Sequence, residues 1–218
     1  MPYYDHIAKQ WHKATGYKGG TFKELVLNDI LLTKLPDIED RSILELGAGN
    51  GYFLPMVSRH FSGQVPSGIV ITDYSGELLE IAAKHFRIPE AEYQTLDIRR
   101  RFPFDEDSFD IIIASMVFNE ISNKDFKAAL QECYRVLTGR GVCLITVTHP
   151  DFIFNLQKRK LLKLTKERVL TMHGSGSLRL PVVIRTVEQY RKYLTEVGLQ
   201  YEEESVYPTK EVLNVRRG

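Results

Sequence analysis

The chain has 218 residues, of which 43% are apolar and 26% charged, and its formal net charge is +1. That length suits one large domain with a substantial core, and the charge balance gives no global attraction to nucleic acid or anionic membrane. Cys133 and Cys143 stand in no metal or redox spacing, which reads as reduced, buried thiols in a cytoplasmic protein.

In chain order, residues 3–11 carry the aromatic and apolar spacing of a short amphipathic helix. The Gly- and Lys-rich residues after it suggest loose attachment, as a flap over the sheet edge or a lid placing Tyr4 or Trp11 over a ligand. Residues 21–35 predict a second amphipathic helix, capped by Thr21 and stopped by Pro36. Ser42 to Leu46 is a short apolar run of the kind buried on both faces of a parallel sheet. It breaks into three alternate glycines, Gly47, Gly49 and Gly51, before a helix over 52–61 that tolerates Pro55 only in its first turn. Further strands are expected at 68–72, 91–96, 109–115 and 141–147, alternating with helices at 75–86 and 123–137. This alternation predicts βαβ units in an α/β, doubly wound, mostly parallel sheet with helices on both faces.

The tail differs. Residues 155–170 read as a basic helical stretch, with six Lys and Arg against one Glu, and 173–177 as a Ser/Gly-rich loop. Thr186 caps a last helix closed by Gly198, and two short strands at 199–206 and 211–216 form a hairpin. One of those two strands must run antiparallel to the rest. The N-terminus shows no signal-peptide core and no apolar run reaches the roughly 18 residues of a membrane span, so no membrane partner is expected.

The glycine turn is a cradle for a ligand that comes close to the backbone, beside the partial positive field of a helix start. A dinucleotide fingerprint would need its third glycine at position 52, where Tyr52 stands. Asp73 and Asp97 fall at the carboxyl ends of the second and third strands, where ligands of open α/β sheets bind. An acid after the second strand can accept both hydroxyls of a ribose, and one after the third the exocyclic amine of adenine. Together they describe an adenosine site with no phosphate to repel.

Glu45-Leu46-Gly47-Ala48-Gly49-Asn50-Gly51, Asp73, Leu96-Asp97-Ile98, Phe102-Pro103-Phe104, Ser108-Phe109-Asp110 and Tyr134-Arg135-Val136-Leu137 occur in an order that resembles the class I, Rossmann-like S-adenosylmethionine-dependent methyltransferases, in their small-molecule branch. The resemblance covers roughly residues 40–150. It implies a seven-stranded sheet whose last hairpin supplies the antiparallel strand, and a helical cap over the substrate. It divides the single domain into lid helices (1–35), cofactor core (40–150), cap insert (151–185) and a final helix and hairpin (186–218). By the same resemblance the cofactor is S-adenosyl-L-methionine and the product S-adenosyl-L-homocysteine. Asp73 would hold the ribose, Tyr74 would lie beside the adenine, and Asp97 with the Ile98 amide would read the adenine edge. Gly47, Ala48, Gly49, Gly51 and Ser115 would hold the methionine part, with Glu45 as a buried helper of the loop.

The expected reaction is in-line methyl transfer to an oxygen, nitrogen or carboxylate nucleophile of a small molecule. His149 and Glu120 are the candidate proton acceptors. Tyr4, Trp11, Asn119, His149 and Arg185 are candidate substrate contacts, His149 having a capping role before Pro150 as its plain alternative. Arg99-Arg100-Arg101 reads as a solvated turn. No metal and no nucleic-acid partner are expected, and the protein is read as a monomer or homodimer. Two alternatives stand beside this reading: a non-catalytic S-adenosylmethionine-binding module, and a methyltransferase acting on RNA or protein through the basic 156–170 stretch.

Overall fold

The computed structural model describes residues 3–20, 23–158, 162–164, 169–172, 179–206 and 210–217. The N-terminal helix α1 (Tyr3–Thr15) is followed by a π-helical turn, Lys23–Leu27, that runs into α2 (Asn28–Lys34). The single helix expected over 21–35 is thus split, and its expected cap Thr21 lies outside the described residues. Strand β1 (Ser42–Leu46) leads through the glycine turn to α3 (Phe53–His60), where Pro55 does sit in the first turn and costs no helical hydrogen bond. Then come β2 (Gly68–Asp73), α4 (Gly76–His85), β3 (Ala91–Thr95), β4 (Phe109–Ser115), a 3-10 turn at Phe118–Glu120, α5 (Asn123–Val136) and β5 (Leu137–Thr148).

Side-chain oxygens set the helix starts. Ser75 Oγ accepts from Leu78 N–H, and Ser122 Oγ from Asp125 N–H. The last helix α7 (Val187–Val197) opens on a reciprocal capping box of Thr186 and Gln189 and closes on Gly198 at φ 87°. It feeds β9 (Leu199–Val206) and β10 (Lys210–Arg217).

Strands β1 to β5 pair in parallel in the order β3-β2-β1-β4-β5, and β10 then β9 extend this to a seven-stranded sheet. β10 is antiparallel to both β5 and β9, so it alone runs against the others. Side chains alternate across the sheet with period two. Leu44, Leu46, Ile112, Ala114, Cys143 and Ile145 face a core shared with Phe126 and Leu130 of α5 and Tyr190 and Leu194 of α7. Ile43, Ile111, Ile113 and Leu144 face the other core, with Leu31 of α2, Phe53 and Val57 of α3 and Leu79 of α4. The chain order reverses between β1 and β4, which opens the ligand crevice of such sheets at the end of β1.

The cap departs from expectation. Helix α6 (Pro150–Lys158) ends early, and β6 (Leu162–Leu164), β7 (Val169–Met172) and β8 (Arg179–Pro181) form a three-stranded antiparallel sheet. The basic stretch over 155–170 is therefore not one helix, and the cap is not purely helical. Leu162-Lys163-Leu164 alternates with period two and Val169 and Thr171 are β-branched, so strand pairing outweighed the helical propensity of the lysines. The loop expected at 173–177 lies outside the described residues. Among the described residues, no helix is long and apolar enough to cross a membrane.

Candidate active site

The three glycines of the turn do different work. Gly47, Gly49 and Gly51 all hold positive φ, of 63°, 61° and 79°. A Cβ on Gly47 would stand 2.5 Å from Val117 Cγ2, and one on Gly51 2.4 Å from the Ala82 Cβ of α4. Those two are glycines because neighbouring chain packs against them. A Cβ on Gly49 would meet only the Trp11 indole nitrogen, at 3.4 Å, so Gly49 faces the crevice. Ala48 N–H donates to Thr72 O across to β2, which pins the start of the turn. Sequence reasoning passed over Asn50. It is buried, and its Nδ2 donates to Gly16 O at 2.8 Å and lies 3.0 Å from His12 Nδ1, tying the turn to α1 and the residues behind it.

Asp73 ends β2 and clamps the turn from the side. Its Oδ2 accepts from Gly49 N–H and its Oδ1 from Ser75 N–H, both at 2.8 Å. Burial raises its pKa although these bonds favour the charged form. Glu45, in β1, is 3% exposed, and its Oε2 has no hydrogen-bond partner among the described residues. Burial pushes its pKa up to about 8, against the pull of Lys23. Lys23, on the π-helical turn, has its Nζ 5.3 Å from the centre of the Tyr52 ring, and burial brings its pKa down to about 8.

Asp97, after β3, accepts from Arg99 Nε at 2.7 Å and Nη2 at 2.9 Å. The Arg99 guanidinium lies over the Tyr74 ring at 4.9 Å. Burial pushes the Asp97 carboxyl up, but its bonds with Arg99 hold it below its ordinary value. Arg99, Arg100 and Arg101 are all exposed, as expected of a solvated turn, and the Arg99 fork joins Asp97 to Tyr74 along one rim. Ile98 beside it is buried, and Ser115, at the end of β4, accepts from Thr146 Oγ1. The next residue, Met116, holds φ 68°, a strained backbone that sequence reasoning had no means to find.

Helix α1 crosses this crevice. Tyr4 OH donates to Glu120 Oε1, and Ser75 Oγ donates to Asp5 Oδ1 at 2.6 Å. The Tyr4 and Trp11 rings meet edge to face at 5.3 Å. Burial pushes Glu120 up to about 8, while the Tyr4 hydrogen bond pulls the other way. Residues 4, 11, 49, 73 and 120 are thus gathered at the carboxyl edge of the sheet.

Three other candidates are bound up elsewhere. Asn119 is buried, with Oδ1 accepting from Thr148 N–H at 3.3 Å and Tyr190 OH at 3.2 Å, and Nδ2 donating to Thr148 Oγ1. Arg185 is 1% exposed and donates to Asn123 Oδ1, Phe118 O and Ile121 O at 2.6–2.9 Å, its guanidinium stacked 4.6 Å from the Phe126 ring. Both are struts of the turn that carries Glu120, not substrate contacts. His149 Nδ1 accepts from Asp151 N–H at 3.2 Å, which is the capping role before the helix.

A doubly wound sheet with a glycine turn at its switch point, and acids closing on that turn, defines a nucleoside-binding α/β scaffold. Residues 43–141 match the family model described as a methyltransferase domain. Over 173 residues it is 28% identical to the tRNA N(3)-methylcytidine methyltransferase Mettl2 of Drosophila melanogaster, covering 76% of this chain and 51% of that one. The chain spans about half or less of the length of the curated relatives it matches. Its fold is like that of the PH0226 protein from Pyrococcus horikoshii, with a TM-score of 0.75 at 18% identity, covering 98% of this chain and 99% of that one. It is also like that of DhpI in complex with S-adenosylhomocysteine, with a TM-score of 0.72 at 17% identity, covering 99% and 94%.

Proposed function

We propose that this chain transfers the methyl group of S-adenosylmethionine to a small-molecule nucleophile by in-line displacement, in the cytoplasm. The observation that carries the reading is the Asp73 clamp: one carboxylate holds both the Gly49 amide and the start of α4, beside the partnerless Oε2 of Glu45. An anionic phosphate would be repelled by the Asp73 carboxylate, whereas a cofactor carrying ammonium and sulfonium charge and no phosphate fits it. The residues present fit that group. Asp73 would take the ribose hydroxyls, Tyr74 and Asp97 with Ile98 the adenine, and Glu45 with Gly47, Ala48, Gly49, Gly51 and Ser115 the amino-acid end.

The bound cofactor supplies a methyl carbon already activated by sulfonium, so alignment is the protein's main task, worth up to about 7–11 kcal/mol in favourable cases. Helix α1 acts as the lid that excludes water, latched by Asp5 on Ser75 and by Tyr4 on Glu120. Glu120 accepts the acceptor's proton where the nucleophile carries one, and its raised pKa suits that task. The cap sheet, α6 and the turn at His149 enclose the acceptor.

Calorimetry with S-adenosylhomocysteine tests the assignment. Asp73→Ala frees the Gly49 and Ser75 amides and removes the ribose acceptor, so affinity should fall by roughly 100-fold or more, about 2.7 kcal/mol. Unchanged affinity in that variant overturns the site.

A further inference from the structure

We propose that His12 is a positioning residue for the lid: its neutral ring ties the end of α1 to the glycine turn, and its protonation opens the crevice. The tie depends neither on the acceptor that the crevice takes nor on the identity of the cofactor.

The donors around Asn50 fix the state of that ring. Asn50 Nδ2 lies 2.8 Å from Gly16 O, and a carbonyl oxygen can only accept. The second hydrogen of the same nitrogen is the one available to His12 Nδ1, 3.0 Å away. An imidazole nitrogen that accepts carries no proton, so His12 is held neutral with its hydrogen on Nε2. A proton on Nδ1 would set donor against donor and break the tie. Asn50 is 1% exposed, so its amide regains a partner only if α1 moves away and admits water.

Among the described residues, no group facing His12 would hold the charged ring. Helix α4 brings His85, whose ring stacks on it at 5.0 Å, and Phe86 at 6.2 Å. The turn after α1 brings Tyr17, and the glycine turn brings the uncharged Asn50. Within one turn on α1 itself stand Lys9 and Lys13 and no acid. Burial first, and then the charge of His85, hold the His12 ring below its ordinary value of 6.5. A released ring regains that value, so the open lid gains by up to about tenfold per pH unit as pH falls below it.

The neighbouring Trp11 carries this change to the crevice. Its indole nitrogen would stand 3.4 Å from a Cβ on Gly49, the glycine that faces the ligand space. The other end of α1 is held separately, by Tyr4 on Glu120 and Asp5 on Ser75. Losing the His12 tie therefore frees the end of the helix that lays Trp11 over the crevice.

Trp11 is the single tryptophan of the chain, so its fluorescence reports on the lid alone. Acrylamide quenching is measured on the whole chain without cofactor, from about pH 7.5 to 5.5, the range in which histidine titrates. The quenching constant should rise by about twofold or more as the lid opens. The midpoint should lie below 6.5. His12→Asn puts a non-titrating acceptor oxygen close to the place of Nδ1, and its quenching should stay flat. His85→Gln removes the charge that opposes protonation and should move the midpoint to higher pH. A flat wild-type profile, a rise that survives in His12→Asn, or a midpoint unmoved by His85→Gln overturns the proposal. Failure of the chain to bind S-adenosylhomocysteine overturns the methyl-transfer reading and leaves the lid's response to pH standing.

Discussion

Gly49 and Gly51 are two residues apart and share a left-handed backbone, yet the same substitution should act on them in different ways. Alanine at 51 drives a methyl group to 2.4 Å from the Ala82 Cβ and 3.1 Å from its Cα, on a helix that cannot yield locally. Backbone strain and overpacking together should cost about 2–4 kcal/mol, read as a lower urea midpoint. Alanine at 49 meets only Trp11 at 3.4 Å, so folding should lose no more than about 1–2 kcal/mol, the strain of the backbone alone. That methyl stands in the crevice, however, and S-adenosylhomocysteine affinity should fall by about tenfold or more. Equal effects of both variants on stability and on binding would show that the turn does not present Gly49 to a ligand. The alternate glycines themselves were legible in the sequence. Which one faces a ligand was not, because Val117, Ala82 and Trp11 reach the turn from remote parts of the chain.

At the scale of elements, the strap between β8 and α7 governs the turn that carries Glu120. Val183 N–H donates to Asn119 O at 2.6 Å, and Arg185 holds the Phe118 and Ile121 carbonyls on either side. A buried guanidinium is sustained here by carbonyl dipoles and an aromatic face, without a described carboxylate partner. Arg185→Met should leave two buried carbonyls without their donor and cost about 2–4 kcal/mol by urea denaturation. Arg185→Lys keeps the charge but lacks the planar fork, and should recover only part of that loss. A change below about 0.5 kcal/mol for the methionine variant would place the variant with ordinary surface substitutions and refute the strut. Sequence reasoning gave Arg185 a substrate role because its segment resembles the insert that covers the substrate in small-molecule methyltransferases. Only the packing of Phe126 and Tyr190 around it shows otherwise. The cap sheet was missed for a related reason: strand pairing between residues 162–164, 169–172 and 179–181 is a non-local choice that the lysine-rich composition does not announce.

For the molecule as a whole, the buried titratable groups shape stability against pH. Glu45 and Glu120 ordinarily titrate near 4.5 and are raised to about 8 in the folded chain, so the folded state binds more protons between those values. Stability therefore falls as pH rises from about 4.5 to 8. Lys23, lowered to about 8 from 10.5, works in the opposite sense: the unfolded state binds more protons above 8, and stability recovers there. The ligand-free chain should thus melt at a higher temperature at pH 6 than at pH 8, and Glu45→Gln should flatten that slope. A melting temperature that rises from pH 6 to pH 8 would contradict the burial of these acids.

The sequence by itself determined the alternation of strands and helices, the glycine turn after β1 and the acids at the ends of β2 and β3. Each is written in local patterns: apolar runs, period-two and helical spacing, and caps such as Ser75, Thr186 and Gly198. Tertiary structure alone decided that Asp73 clamps Gly49, that Arg99 bridges Asp97 and Tyr74, and that Tyr4 reaches Glu120 across 116 positions of chain. It also decided that Asn119, His149 and Arg185 are struts and caps. The physical reason is the same in each case: a polar side chain takes its role from the partner that packing brings to it, and that partner is distant in sequence.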